Sequence, residues 1–324
     1  MCKSRDGPIA AYRLHKVGSV KVAVIMNSGA GGLDGTGCDE QVSRIKAAFS
    51  AVGVEAEVIL CEGKNLAQTA RAAAASAVDA VVAAGGDGTV STIAGALAGG
   101  DVPLAVLPLG TLNHFARDIG MPSDLEEAAR AISAQHVERI DIGKVNGHFF
   151  INNSSIGLYP EMVLSRDAER KRSGISKGWA MLIAIRRVLS RFPLMRVRVI
   201  TEQTLVVSPT PFLFVGNNFY ALDALKLGQR AHLNRGLLSL YMVRCTGRLK
   251  MFWLMVRALL QRLDAVEDFE TRSVTELRVD LHRRRLQVAI DGEVTSMHSP
   301  LHYQIWPQAL RVVRVPLPTE GEAP

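Results

Sequence analysis

Val81-Val82-Ala83-Ala84-Gly85-Gly86-Asp87-Gly88-Thr89-Val90 is an apolar, β-type run that stops in three glycines bracketing one carboxylate. Residues 89–97 are helix-compatible and Thr89 reads as the N-cap, so the glycines fall where backbone N–H groups converge on a helix N-terminus. Glycine permits positive φ and close backbone approach, which lets peptide N–H groups reach phosphate oxygens that a Cβ would block. A carboxylate there repels phosphates unless Mg²⁺ or a fixed water network lies between them, so Asp87 points to a nucleotide plus a metal. Taken alone, the stretch reads as a tight turn with a solvated Asp; its context decides.

Downstream, Val106-Leu107-Pro108-Leu109-Gly110-Thr111-Leu112-Asn113-His114-Phe115 is a second apolar strand that ends in Gly-Thr and opens a helix. Two such strand ends on one parallel sheet put both loops at its carboxyl edge, where open α/β sheets bind ligands. Upstream, a strand over 20–26 ends in Asn27-Ser28-Gly29, and a helix over 39–51, a strand over 55–60 and a helix over 66–76 complete βα units. Right-handed crossovers stack these into a doubly wound sheet. After a helix over 125–133 the pattern changes to alternation, and residues 140–153 read as two strands around the hairpin turn Asn146-Gly147.

A length of 324 residues with 48% hydrophobic content suits two domains with buried cores. We place them at 18–140, an α/β nucleotide-binding domain, and 141–316, a β-rich domain whose last strands are free to return to the first. The net charge of +7 favours an anionic partner. Cys2, Cys38, Cys61 and Cys245 are scattered without a CxxC pair, which fits a reducing cytoplasm. The first sixteen residues lack the apolar core of a signal peptide, and the most apolar later runs fall short of the ~20 residues needed to cross a bilayer. His298 and His302 have helical spacing, but Pro300 between them argues against a zinc-binding helix.

The pair Gly-Gly-Asp-Gly-Thr (85–89) and Gly-Thr-Leu-Asn (110–113), with further matches from about Lys21 to Glu293, resembles the diacylglycerol kinase catalytic-domain family of lipid kinases. The resemblance implies an antiparallel β-sandwich as the second domain, ATP with Mg²⁺ as cofactors, and a lipid hydroxyl as phosphoryl acceptor. It assigns Asn27, Gly85, Gly86, Asp87, Gly88, Thr89, Gly110, Thr111 and Asn113 to the nucleotide, and Asp87 with Asp141 to the metal. From the matching Asp291-Gly292-Glu293 it supplies Asp291 as general base with Glu293 beside it. Alternation places both carboxylates on one face of a strand, although Asp-Gly alone is a hairpin-turn signature. Lys177 and Lys171 match a phosphate-binding Lys about equally. The chain departs from the family at Gly32, at His114 and at Arg235, where relatives usually have Lys, Asp and Asp; Arg235 puts a structural Mg²⁺ in doubt.

Residues 166–191 and 248–262 are basic and amphipathic, with Trp179 and Trp253 among their apolar residues. Such stretches are usually core-packed helices with a solvated face; their other reading is docking on anionic headgroups. The expected setting is cytoplasmic and peripheral at the inner membrane surface, with ATP and a membrane lipid as partners, no nucleic acid, and a homodimer left open. NAD kinases share the glycine loop but lack the second loop and the Asp-Gly-Glu strand. From another class, a lipid- or nucleotide-binding protein without turnover accommodates Gly32, His114 and Arg235, while the presence of both Asp87 and Asp291 speaks for an enzyme.

Overall fold

The computed structural model describes residues 19–29, 35–157, 194–202, 204–220, 230, 232–243 and 269–315. Apolar runs at both flanks of the glycine stretch become buried parallel strands. These are β1 (Lys21–Asn27), β2 (Glu55–Cys61), β3 (Ala80–Gly85) and β4 (Leu104–Pro108), ordered β2-β1-β3-β4. β3 is buried at every position and β1 and β4 nearly so, because helices cover both faces, as an all-parallel sheet requires. α1 (Gly35–Ala51) packs with α5 (Leu125–Ser133), and α2 (Leu66–Ala75) packs with α3 (Asp87–Leu97). Asp124 caps α5 by accepting from the N–H groups of Glu126 and Glu127, both at 3.0 Å. The short α4 (His114–Asp118) follows the second glycine loop.

The sequence placed the start of α3 at Thr89, with Thr89 as cap. The helix begins at Asp87 with Gly86 as N-cap, and Thr89 is turned inward, 6% exposed, beneath Gly85. A Cβ on Gly85 would stand 2.8 Å from the Thr89 side chain, so the glycine lets strand and helix approach closely.

β5 (Val137–Val145) and β6 (His148–Phe150) form the expected hairpin, with φ of 44° at Asn146 and 90° at Gly147. β5 crosses residues 140 and 141 without a break. It pairs on one side with the last strand, β16 (Leu301–Val313), across a register shift between Trp306 and Leu310. The final turn of that strand does return: Val312 pairs in parallel with Leu104 of β4. Through β16 the parallel sheet continues into antiparallel β13 (Glu276–Leu281), β8 (Met195–Thr201) and β9 (Leu205–Thr210), making one ten-stranded sheet. A second, wholly antiparallel sheet has the order β12 (Phe269–Val274), β11 (Leu238–Val243), β10 (Phe212–Asn217), β7 (Asn153–Gly157), β14 (Arg285–Ile290), β15 (Glu293–His298). Val199, Leu213, Val215, Leu240, Val279, Val288 and Tyr303 fill the space between the two sheets.

Asp291 and Gly292 do not continue β14. With φ of 46° and 90° they form the two-residue turn to β15, so the period-2 argument that put Asp291 and Glu293 on one strand face fails. Residues 158–193 and 244–268 lie outside the described residues, and with them the two basic amphipathic stretches and both Lys171 and Lys177.

Candidate functional site

The two glycine loops touch. Leu109 N–H donates to the Gly85 carbonyl at 3.2 Å, and a Cβ on Gly86 would lie 3.4 Å from Gly110 Cα. Asp87, in the first turn of α3, accepts the N–H of Phe115 in α4 at 3.3 Å and is half-buried. Its carboxylate therefore sits at the N-terminal end of α3 and against the first turn of α4.

Asn113 serves the loop itself. Its φ is 48°; its Oδ1 accepts Gly110 N–H at 3.0 Å, and its Nδ2 donates to the carbonyls of Gly110 at 2.7 Å and Pro108 at 3.3 Å. Asn27 does likewise at the end of β1, accepting Gly29 N–H at 3.0 Å. Thr89, buried beneath Gly85, also shapes rather than presents. Gly86, Asp87 and Gly88 are half-exposed and Thr111 is exposed, so these remain open to a ligand.

Asp291 is the hub of the site. Its Oδ1 accepts the N–H groups of Asn152 and Asn153 at 2.8 and 2.9 Å, and its Oδ2 accepts Ile151 N–H at 2.9 Å and the Ser91 hydroxyl at 2.5 Å. Burial pushes its pKa up from 3.8, against the lowering pull of Ser91 and the three amides. Glu293, exposed at the start of β15, lies against Gly88; a methyl on that glycine would collide with its carboxylate. A cavity of about 390 Å³ opens here, with Gly88, Ser91 and Thr92 of α3, Arg71 of α2, His148 of β6 and Glu293 in its walls. Asp291 is not in that lining; Ser91, whose hydroxyl it holds, is.

The residues that fix Asp291 were not found from the sequence. Arg230, 4% exposed, pairs with buried Asp118 at the end of α4 at 2.8 Å. It also donates to the Ile151 carbonyl at 2.5 Å, the Asn217 carbonyl at 3.2 Å and Asn152 Oδ1 at 2.8 Å. One buried cation thus pins the backbone whose amides hold Asp291. Among 38 Lys and Arg nothing marked Arg230 in advance. Ser91 did carry a signal: Gly88, Ser91, Thr92 and Gly95 recur at helical spacing on one face of α3, all small or hydroxyl-bearing.

Asp141 lies fully buried in β5, with its Oδ2 accepting Gly236 N–H at 2.6 Å and its Oδ1 accepting Gln308 N–H at 2.9 Å. Both oxygens tie down loop backbone, so it does not fit the metal-ligand role the resemblance implied. Arg235 is exposed and its N–H is accepted by Asn218 at 2.9 Å, so its guanidinium does not take an ion's place inside the loop. His114 is exposed, 2.9 Å from Arg117. Among the described residues no three His, Cys, Asp or Glu side chains converge on one point. At the glycine loop Asp87 is a half-buried carboxylate of the kind that would hold Mg²⁺ together with the phosphates of a nucleotide.

The overall fold is similar to that of a solved diacylglycerol kinase from Bacillus anthracis. That structure superposes with a TM-score of 0.66 at 21% identity, over 93% of this chain and 99% of the other. Residues 21–145 match the family model described as the diacylglycerol kinase catalytic domain. A "Probable lipid kinase YegS-like" protein of Chromohalobacter salexigens is 32% identical over 210 residues, 63% of this chain and 66% of that protein. A "Diacylglycerol kinase" of Bacillus subtilis is 35% identical over 128 residues, so the chain spans 42% of that relative's length. The match assigns residues 21–145, rather than the whole chain, to the diacylglycerol kinase catalytic domain family.

Proposed function

We propose that the chain is an ATP-dependent lipid kinase that moves the γ-phosphate to a hydroxyl of a diacylglycerol-like acceptor. The observation that carries this reading is the cavity in which Gly88 of the phosphate loop meets Ser91, bonded to Asp291, and Glu293. Phosphoryl transfer needs mainly positioning and charge stabilisation. The open N–H groups at Gly86 and Gly88 would hold phosphates, with Thr111 beside them. Mg²⁺ at Asp87 would offset their charge. Three of the four donors on Asp291 are fixed amides, whereas the Ser91 hydroxyl can rotate away. The acceptor hydroxyl would take its place on Oδ2, give its proton to Asp291 and attack the γ-phosphorus in line, breaking the bond to the β–γ bridging oxygen so that ADP leaves.

In this reading residues 18–140 hold the nucleotide and 141–316 the lipid. The enzyme works at the cytoplasmic face of a membrane. Among the described residues no helix is long and apolar enough to cross one.

One observation favours a second reading. Asp291 is 8% exposed and already accepts four hydrogen bonds, as a purely structural carboxylate would, which suits a nucleotide- or lipid-binding protein without turnover. Incubating the chain with labelled ATP, Mg²⁺ and a total lipid extract, followed by mass spectrometry of the lipids, separates the two. A phosphorylated lipid that appears only with the chain present is expected; ATP binding with no labelled lipid would leave the binder.

A further inference from the structure

The end of the β-sandwich remote from Asp291 carries a concentrated positive charge. The turn from β13 to β14 is His282-Arg283-Arg284, followed by Arg285 as the first residue of β14, and all four are exposed. Arg285 pairs across the hairpin with exposed His298. Val197 pairs with Leu281, which brings exposed Arg196 of β8 to the same end. Among the described residues none of Arg196, Arg283, Arg284 and Arg285 is paired with a carboxylate; the nearest acid along the chain, Asp280, is bonded to Arg278 at 2.7 Å.

The strand registers add a second observation. Gly157 pairs with Phe212, Met195 with Thr210 and Val243 with Phe269, and each of these pairs lies at the end of the sandwich opposite Asp291. The chain therefore departs into residues 158–193, and into residues 244–268, from the arginine-bearing end and rejoins the sheets there. Both stretches hold more Lys and Arg than Asp and Glu, so each adds net positive charge to the sequence that leaves from this end.

We infer that this end of the sandwich, centred on Arg283, Arg284 and Arg285, is a docking surface for a bilayer of anionic phospholipids. Clustered guanidinium groups on the short connection between the two sheets, with no carboxylate partner among the described residues, suit headgroup phosphates, which arginine binds in bidentate fashion. Six residue steps along β14 separate Arg285 from Asp291, about 20 Å at ~3.3 Å per residue. The surface therefore tethers the protein and raises the local concentration of lipid; it takes no part in the phosphoryl transfer. The membrane as occupant rests on the lipid-kinase reading, but the test does not.

Sedimentation of the full chain with vesicles, without ATP, measures docking independently of turnover. Binding to vesicles of phosphatidylcholine mixed with phosphatidylglycerol should exceed binding to phosphatidylcholine alone and fall with salt, as attraction screened over ~8–10 Å requires. Each arginine near an anionic surface contributes enough that R283Q/R284Q/R285Q should weaken vesicle binding roughly 100-fold, and R283K/R284K/R285K should retain most of it. Phosphorylation of lipid in vesicles should then drop in the glutamine variant, while the same lipid in neutral detergent micelles is phosphorylated at the wild-type rate. Unchanged vesicle binding by the folded glutamine variant would overturn the inference, and so would a loss confined to binding of duplex DNA. Vesicle binding lost as expected in a chain that phosphorylates no lipid would uphold the docking surface and overturn the kinase reading alone.

Discussion

Asp291 can act as a base only if the groups that hold it allow it to ionise near neutral pH. Burial raises its pKa and Ser91 is the first of the groups pulling it back down. Turnover should therefore climb with pH along an acid limb set above the ordinary carboxylate range. In Ser91→Ala a lowering contact is gone, so that limb should move to higher pH; a limb that stays or moves lower would separate Ser91 from the base. The sign for stability follows from the same shift. A carboxyl whose pKa is raised in the folded state contributes stability that is fully present below its unfolded value and lost as pH rises through the folded one, so an ionised Asp291 is held at a cost.

Arg230 is the second residue to test. Arg230→Met leaves the Asp118 carboxylate, its side chain 2% exposed, without its partner. Breaking a buried pair in this way costs about 3–5 kcal/mol, which denaturant unfolding would read, and Asp118→Asn added to it should recover part. A loss below about 1 kcal/mol would mean the pair is not the pin described above. At this scale Asp87 was legible as a carboxylate set among glycines, whereas Asp291 and Glu293 were singled out through the family resemblance, since Asp-Gly alone reads as a turn. The sequence did not show Arg230, Asp118 or the amides of residues 151–153, since a buried partnership across more than a hundred residues leaves no local pattern.

At the scale of elements, the contact between the two glycine loops is what would make them one phosphate site, as proposed, rather than two separate turns. A Cβ on Gly86 meets Gly110 Cα at 3.4 Å, which the fold tolerates. A Cβ on Gly110 would overlap Gly86 Cα and come within 2.7 Å of Asn113 Oδ1. Gly110→Ala should therefore force the loops apart, with an overpacking cost of ~1–3 kcal/mol and lost ATP affinity. Gly86→Ala should weaken ATP binding with little change in melting temperature. Calorimetric titration and thermal unfolding of the two variants check this; equal, wild-type affinities would return both loops to plain turns. The elements themselves were largely legible, since buried parallel strands read as continuous apolar runs and Asn146-Gly147 as a hairpin. Two boundaries were not. Gly86 in extended conformation caps α3 where Thr89 was expected, and Asp291-Gly292 is a turn although the alternation of residues 286–293 suggested a strand.

For the whole molecule the deciding element is β16, which joins the parallel strands β2-β1-β3-β4 to the sandwich in one sheet. Its return to β4 was open in the sequence, yet the pairing of Val312 with Leu104 is a long-range contact that periodicity cannot specify. The same holds for the way Asp291, at the far end of the chain, comes to lie over Ser91 of α3. That meeting of C-terminal carboxylate and phosphate loop is the central claim. It is tested by following labelled phosphate from ATP into chloroform-extractable lipid with wild type and Asp291→Asn, while ATP affinity and melting are measured on both. The wild type should transfer phosphate, and the variant should do so ~10²- to 10⁴-fold more slowly with unchanged ATP affinity. Its melting temperature should fall as well, because the new amide faces N–H and O–H donors. Equal transfer rates in the two proteins would contradict it.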